Sequence, residues 1–488
     1  MPIIQANSLD DKNTATLAVS DAQTPMRVGM GATEQLAELE CTIEFFTEPV
    51  DPISEYTATV RFDRRDIAYY DAIYDVAKWW EEDCGYESSY VPEDAKKPVN
   101  SLWYSYHQNL YPDDIINECK LGKALGMDTV IIDDGWQTAD VGLGYKYCGD
   151  WELSPEKIPD MKALCDRLHE IGVKVVLWYS VPYMGIGAKN FDRFKDMLLG
   201  DPYKQGWTSL DPRYKQVREY LKGIYKNALI NYGLDGFKLD FIDAFQLTPL
   251  SMNYDERRDC ASLESAVDTL MSEVNAELTK INPDVMLEFR QSYVGPCIRK
   301  YGNMMRVSDC PNDSYTNKLR MLDLRLTSGT TAVHSDMVMW NYNEPVEIAA
   351  LQLANILYSV PQVSVRVAEI PDDHKKMIAH YLKFWKDNRD ILLEGRLEPK
   401  SPSAYYTSAT AHKDGKAVVS LYTTPVIEGG FESITAVNAS PDRDVVIKNC
   451  DGKKYSVTDC MGNGIASGVI ASDVFVVKVP LCGFIYID

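Results

Sequence analysis

The chain of 488 residues contains no apolar run approaching the length of about 18 residues that a membrane-spanning helix needs, so no membrane partner is expected. Cations are in short supply. Fifty Lys and Arg stand against 72 Asp and Glu, which gives a formal net charge of -22. With no basic stripe to displace counterions, a nucleic-acid polyanion is excluded as a partner. No GxGxxG or GxxxxGK[ST] follows any apolar segment, and that removes the common nucleotide-binding readings. The 6 His are dispersed, and the 11 Cys show no CxxC or Cys/His pairing, so no metal and no cofactor are expected. An odd set of scattered thiols reads as reduced and structural. The opening MPIIQANSLDDKNTATLAVSD has neither a basic n-region nor an apolar h-region, so no signal peptide is visible. The expectation is a cytoplasmic protein, or an exported one whose leader has been removed.

At 55.1 kDa the chain exceeds one ordinary hydrophobic core, so several domains are expected. Residues 1–95 read as an N-terminal β-rich domain and linker, with TATLAVSD, AELECTIEFFT and YTATVRFD as strands and a helix over 67–83. Residues 96–390 alternate apolar strands with amphipathic helices. The strands are SLWYSYH (101–107), TVIIDDGW (129–136), KVVLWYSV (174–181), DGFKLDF (235–241), VMLEFR (285–290), MMRVSD (304–309), TAVHSDM (331–337) and VSVRVA (363–368). Helices such as PDDIINECKLGKALG, DMKALCDRLHEIG and YKQVREYLKGIYKNALINYG each end at Gly, a usual C-cap. Eight such units predict an α/β fold, a (β/α)8 TIM barrel. Residues 391–488 change to short alternating segments with DG, GG and NG turns, which predicts an antiparallel β-sandwich.

A (β/α)8 barrel builds its site at the C-terminal ends of its strands. Here those ends carry His107, Asp133 and Asp134, Trp178, Lys238 and Asp240, Glu288 and Arg290, Asp309, then His334 and Asp336. Ionised groups near a core each destabilise by several kcal/mol unless paired, so so many of them imply chemistry. In GFKLDF, strand alternation puts Lys238 and Asp240 on one face and Phe237, Leu239 and Phe241 on the other. A neighbouring ammonium keeps a carboxylate ionised, as a nucleophile requires. An internal ion pair that merely orders the barrel is the bland alternative. Asp309 is the expected general acid, its pKa raised by partial burial and a like charge opposite. The alternative there is an Asp capping the next helix. Two carboxylates on strands 4 and 6 fit the chemistry of glycoside hydrolysis.

The segments IIDDGWQ, GDW (149–151), GFKLD, LEFR and RVSD, in that order, resemble clan D glycoside hydrolases over roughly residues 100–345. The resemblance is greatest to family 36, the α-galactosidases and raffinose-synthase-like enzymes. It implies a retaining, exo-acting enzyme with Asp240 as nucleophile and Asp309 as acid/base. It also implies that Asp133 and Asp134 grip the O4 and O6 hydroxyls of the sugar, that Lys238 contacts a ring hydroxyl, and that Trp151 lines the pocket. Arg290 carries a sugar-contacting role. His107, Trp136 and Trp178 are expected as apolar and stacking walls, and Asp336 on the leaving-group side. The expected partner is a glycoside or oligosaccharide with a terminal α-linked galactose-type sugar, and a homo-oligomer is compatible with it.

The N-terminal domain is shorter than the family's, KLDF replaces KWD, and FRQSYVGPCIRKYG replaces a Cys-Ser-x-Gly-Gly-Gly-Arg loop. Two related activities therefore stay open, an α-galactosyl transglycosidase and an α-N-acetylgalactosaminidase. A non-catalytic sugar-binding barrel is the third reading.

Overall fold

The computed structural model describes residues 1–50, 52–260 and 262–488. Eight parallel strands form its centre: β1 (Val99–Ser101), β2 (Thr129–Ile132), β3 (Lys174–Ser180), β4 (Gly236–Asp240), β5 (Met286–Arg290), β6 (Met304–Arg306), β7 (Ala332–His334) and β8 (Gln362–Val363). They are hydrogen-bonded in the order β7-β6-β5-β4-β3-β2-β1-β8, and a bridge from His334 to Val360 brings the two ends together. TVII and KVVLWYS are apolar throughout because both faces of such strands are covered, one by helices and one by the barrel interior.

The expected helix ends occur where Gly permits them. Pro112–Leu125 stops at Gly126 and Lys215–Tyr232 at Gly233, both left-handed, and Met161–Glu170 is followed by Gly172 at φ 73°. The first strand departs from expectation. Pairing ends at Ser101, and Trp103–Tyr106 turns into a short helix, which throws His107 outward at φ 47°.

Before the barrel, Ile3–Asn7, Asn13–Val19 and Val60–Asp63 form an antiparallel sheet, and Met26–Thr33 pairs with Glu38–Phe45 in a hairpin. The helix Tyr69–Glu82 buries Val76 and Trp80 against Ala18 of that sheet. After the barrel, sheets of seven and three strands enclose a core that includes Val419, Ile434, Val445 and Ile447. The sandwich is not purely antiparallel. Lys416–Leu421 runs parallel to Ser433–Asn438, and Val426–Glu428 parallel to Asp444–Lys448. The eleven thiols are all free.

Candidate active site

Strand β4 delivers the pair that alternation puts inward. Lys238 and Asp240 are buried at the mouth, while Phe237 and Leu239 pack outward into the helix layer. Lys238 Nζ donates to Asp133 Oδ2 at 2.7 Å across the barrel. The two oxygens of Asp240 are held differently. Oδ1 accepts from Arg290 Nε at 2.6 Å, Phe241 N at 2.8 Å and the Tyr293 hydroxyl at 3.1 Å. Among the described residues, Oδ2 accepts from Trp178 Nε1 alone, at 3.0 Å. Burial pushes the Asp240 carboxyl up, but Lys238, Arg290 and the Trp178 hydrogen bond outweigh it and hold the group below its ordinary range. Asp240 is therefore a buried anion.

Beside it, β2 ends in Asp133 and Asp134. Gly135 turns there at φ 113°, and a Cβ on it would lie 2.7 Å from Gln108 Cα, so only glycine fits. That close approach brings Gln108 Nε2 to Asp134 Oδ2 at 2.7 Å, and Gln137 Nε2 meets Oδ1 at 2.7 Å. Burial lifts the Asp134 carboxyl to about 6 in spite of both amides.

The β6 side corrects one expectation. Asp309 is 48% exposed at its side chain and pairs with Arg306 at 2.9 Å. Burial raises its pKa, but Arg306, Lys238 and Arg290 reverse this and hold Asp309 at about 2. The expected upward shift is reversed because three cations face the carboxyl. Arg306 is the centre of this arrangement. Its buried guanidinium also lies 2.5 Å from Asp336 and 3.5 Å from Glu288. Asp336, expected to line the leaving-group side, is instead fully buried, accepting from the Tyr104 hydroxyl at 3.0 Å and from Cys310 N at 2.6 Å. It has no surface to offer a sugar. Glu288 accepts from Gln362 Nε2 at 2.5 Å, and Gln362 also reaches Nδ1 of a buried His334 that burial keeps neutral.

Of the aromatic residues, Trp178 covers Asp240 and lies 5.8 Å from Trp151, ring centre to ring centre. Trp151, at φ 56°, keeps its Nε1 buried without a partner among the described residues. Trp136 has no exposed surface; its Nε1 donates to Trp178 O at 2.9 Å, so it backs the wall from behind. His107 is exposed and packs on Trp103 at 5.1 Å, while its neighbour Gln108 faces the site. Arg306, Tyr293 and Gln108 were not anticipated among the site residues. Only Arg306 leaves a signal, a cation set among Met304, Met305 and Val307 just before Asp309. A cavity of about 540 Å³ lies beside the mouth, with Asp243, Ser292 and Tyr293 on its near wall.

A buried anion on β4 braced by cations, with a half-exposed carboxyl on β6 of the same barrel, defines a barrel of the glycoside-hydrolase kind. Residues 99–351, just over half of the chain, match the family model described as the glycosyl hydrolases family 31 TIM-barrel domain, and the chain belongs to that family. Within clan D it is similar to family 36. It is 28% identical over 148 residues to an A type blood α-D-galactosamine galactosaminidase of Flavonifractor plautii, covering 27% of this chain and 13% of that protein. It is 26% identical over 131 residues to an α-galactosidase of Escherichia coli, covering 26% and 18%. The chain thus matches only a small part of these curated relatives' length. A family 36 α-galactosidase of Geobacillus stearothermophilus, solved with stachyose, superposes with a TM-score of 0.64 at 12% identity, over 100% of this chain and 69% of that one. At that identity the likeness establishes the fold.

Proposed function

We propose that the chain is a retaining, exo-acting α-galactosidase with Asp240 as nucleophile and Asp309 as acid/base. The observation that carries this reading is the state of Asp240: a carboxylate enclosed by protein at the end of β4, yet held ionised by Lys238 and Arg290. In the first step an Asp240 oxygen forms a bond to C1 of a terminal α-linked sugar. The bond from C1 to the leaving oxygen breaks, and Asp309 gives that oxygen its proton. In the second step water attacks C1, Asp309 takes the proton of the water, and the ester electrons return to Asp240 with net retention. Asp133, Asp134 and Lys238 form a connected polar set for the sugar hydroxyls, and Trp178 and Trp151 form the wall beside them.

Asp309 must gain a proton as the site fills. A sugar over its exposed half removes water from the carboxyl, which favours the neutral form, and Arg306 keeps Asp336 and Glu288 as partners when it lets Asp309 go. One observation favours a second reading, an enzyme for galactosides with nitrogen at C2, the class to which an α-N-acetylgalactosaminidase belongs: the Flavonifractor plautii relative is a galactosaminidase by its name. Transfer to an acceptor sugar uses the same residues and is separated by product analysis with and without acceptor.

The test is a panel of nitrophenyl α-galactoside, α-glucoside and N-acetyl-α-galactosaminide, with Asp240→Ala beside the native protein. The galactoside is expected to be the preferred substrate, and Asp240→Ala to lose nearly all turnover, with azide restoring a glycosyl azide of inverted configuration. Full activity in Asp240→Ala refutes the assignment; preference for the acetamido sugar moves it to the second reading.

A further inference from the structure

The Asp240 carboxylate is bound asymmetrically, and the asymmetry distinguishes its two oxygens chemically. A carboxylate oxygen offers about two lone-pair sites. Oδ1 meets three donors, from Arg290, Phe241 and Tyr293, so it has no lone pair left to give. Oδ2 meets one donor, from Trp178, and keeps a lone pair free. Tyr293 also has an alternative. Its hydroxyl lies 3.1 Å from Asp240 Oδ1 and 3.3 Å from Leu239 O, and its single proton can serve one of them at a time. An anionic oxygen is the stronger acceptor, so the free enzyme directs the proton to Oδ1.

We infer that Oδ2 is the attacking oxygen of Asp240 and that Tyr293 is a positioning residue whose hydroxyl acts on the second half of the reaction, the departure of the carboxylate from the sugar. The inference rests on the proposed double displacement at Asp240. When Oδ2 bonds to C1, Oδ1 becomes the carbonyl oxygen of an ester and loses most of its charge. The Tyr293 hydroxyl then has little preference between Oδ1 and Leu239 O. In the second step the C1–Oδ2 bond breaks, its electron pair returns to the carboxylate, and charge reappears on Oδ1, where Tyr293, Arg290 and Phe241 N receive it. The hydroxyl therefore lowers the energy of the free carboxylate, which slightly restrains attack, and lowers the barrier to release. Burial and the Asp240 charge keep the phenol protonated, so it is a donor throughout. Tyr293 lies in the segment FRQSYVGPCIRKYG beyond β5, on a separate strand end from the nucleophile. Its hydroxyl also accepts from Phe241 N at 3.2 Å, so it reaches Asp240 Oδ1 both directly and through that shared donor.

The test is Tyr293→Phe, which keeps the ring and removes the hydroxyl, assayed with a nitrophenyl α-galactoside and with a trisaccharide galactoside whose leaving sugar departs poorly. A hydrogen bond to a charged acceptor contributes enough to change a rate roughly tenfold when it is realised mainly in one transition state. With the nitrophenyl substrate, where attack is fast, kcat is expected to fall about tenfold with KM falling in parallel, so that kcat/KM moves much less. A pre-steady-state burst of nitrophenol should grow, and intact-protein mass spectrometry during turnover should show more enzyme carrying one hexosyl group. With the trisaccharide, where attack limits the rate, kcat should stay level or rise slightly. Equal losses of kcat and kcat/KM on both substrates, or a raised KM, overturn the inference. Tyr293→Leu checks the packing role: if removal of the ring leaves no further loss beyond that of Phe and the burst is absent in both, the hydroxyl does not act on release. A native protein with no burst-competent hexosyl ester on any substrate refutes the double displacement itself, and that outcome is separate from a failure at Tyr293.

Discussion

Replacing Arg306 by Met removes the one guanidinium that faces Asp336 at 2.5 Å, Asp309 at 2.9 Å and Glu288 at 3.5 Å. The arginine is fully buried, so water does not substitute for it. Taking one partner from a buried ionic set destabilises by about 3–5 kcal/mol. The loss depends on pH, and its sign follows from the carboxyls left behind. Burial already holds Asp336 and Glu288 above their ordinary ranges, and without the cation they rise further. The folded variant then binds protons that the unfolded chain has released, so its stability falls as pH rises through that window. Relative to the native protein, the deficit should be larger at about pH 7.5 than at about pH 5, by roughly 1.4 kcal/mol for each pKa unit of added shift that is titrated between them. Urea unfolding followed by tryptophan fluorescence at the two pH values reads this directly. Arg306→Lys, which keeps the charge but not the fork, should fall between the two. A deficit under about 1 kcal/mol, the range of an exposed ion pair, or one equal at both pH values, refutes the view of Arg306 as the cation on which the β5–β7 carboxylates depend.

Two further outcomes are expected. Asp134 titrates near 6, and a carboxylate that accepts sugar hydroxyls must be ionised, so kcat/KM should rise with pH through about 6; Asp134→Asn should lower kcat/KM and abolish that limb. Gly135→Ala sets a Cβ 2.7 Å from the Gln108 backbone at a φ that L side chains rarely adopt, and should lower stability by about 1–3 kcal/mol while raising KM, measured by thermal melting and steady-state kinetics.

The strand-4 pair is legible in the sequence because alternation is a local rule: Lys238 and Asp240 share a face in any extended reading of GFKLD. The helix ends at Gly126, Gly172 and Gly233 are legible for the same reason. What local rules miss is set by partners distant along the chain. Gln108 meets Asp134 only because Gly135 lets the two segments touch, and Tyr293 meets Asp240 from the next strand. Asp309 is more acidic than burial and a like charge predict, because Arg306, three residues away, outweighs both. Its signal was present, since one cation within MMRVSD must answer the carboxyls that end β5, β6 and β7. The parallel pairs of the C-terminal sheets leave no mark, because alternation is identical in parallel and antiparallel strands.

The buried cluster that begins at Tyr69 runs without a break through the barrel to Phe484. Three tyrosine hydroxyls donate from the earlier part to residues beyond 390, Tyr69 to Pro399 O, Tyr358 to Ala409 O and Tyr381 to Cys482 O, and Tyr406 donates back to Asp323. On the ribosome, Tyr358 and Tyr381 are therefore made well before the carbonyls that satisfy them. Tyr358 finds its acceptor once Ala409 has left the exit tunnel, whereas Tyr381, in the helix Asp372–Asp387, waits with its phenol unpaired until Cys482 follows. Synthesis in order thus separates the strands that carry the mouth carboxyls from the moment at which Tyr381 is satisfied. A chain cut before Cys482 carries the mouth residues in full but lacks the acceptor of Tyr381 and leaves the outer layer unsealed.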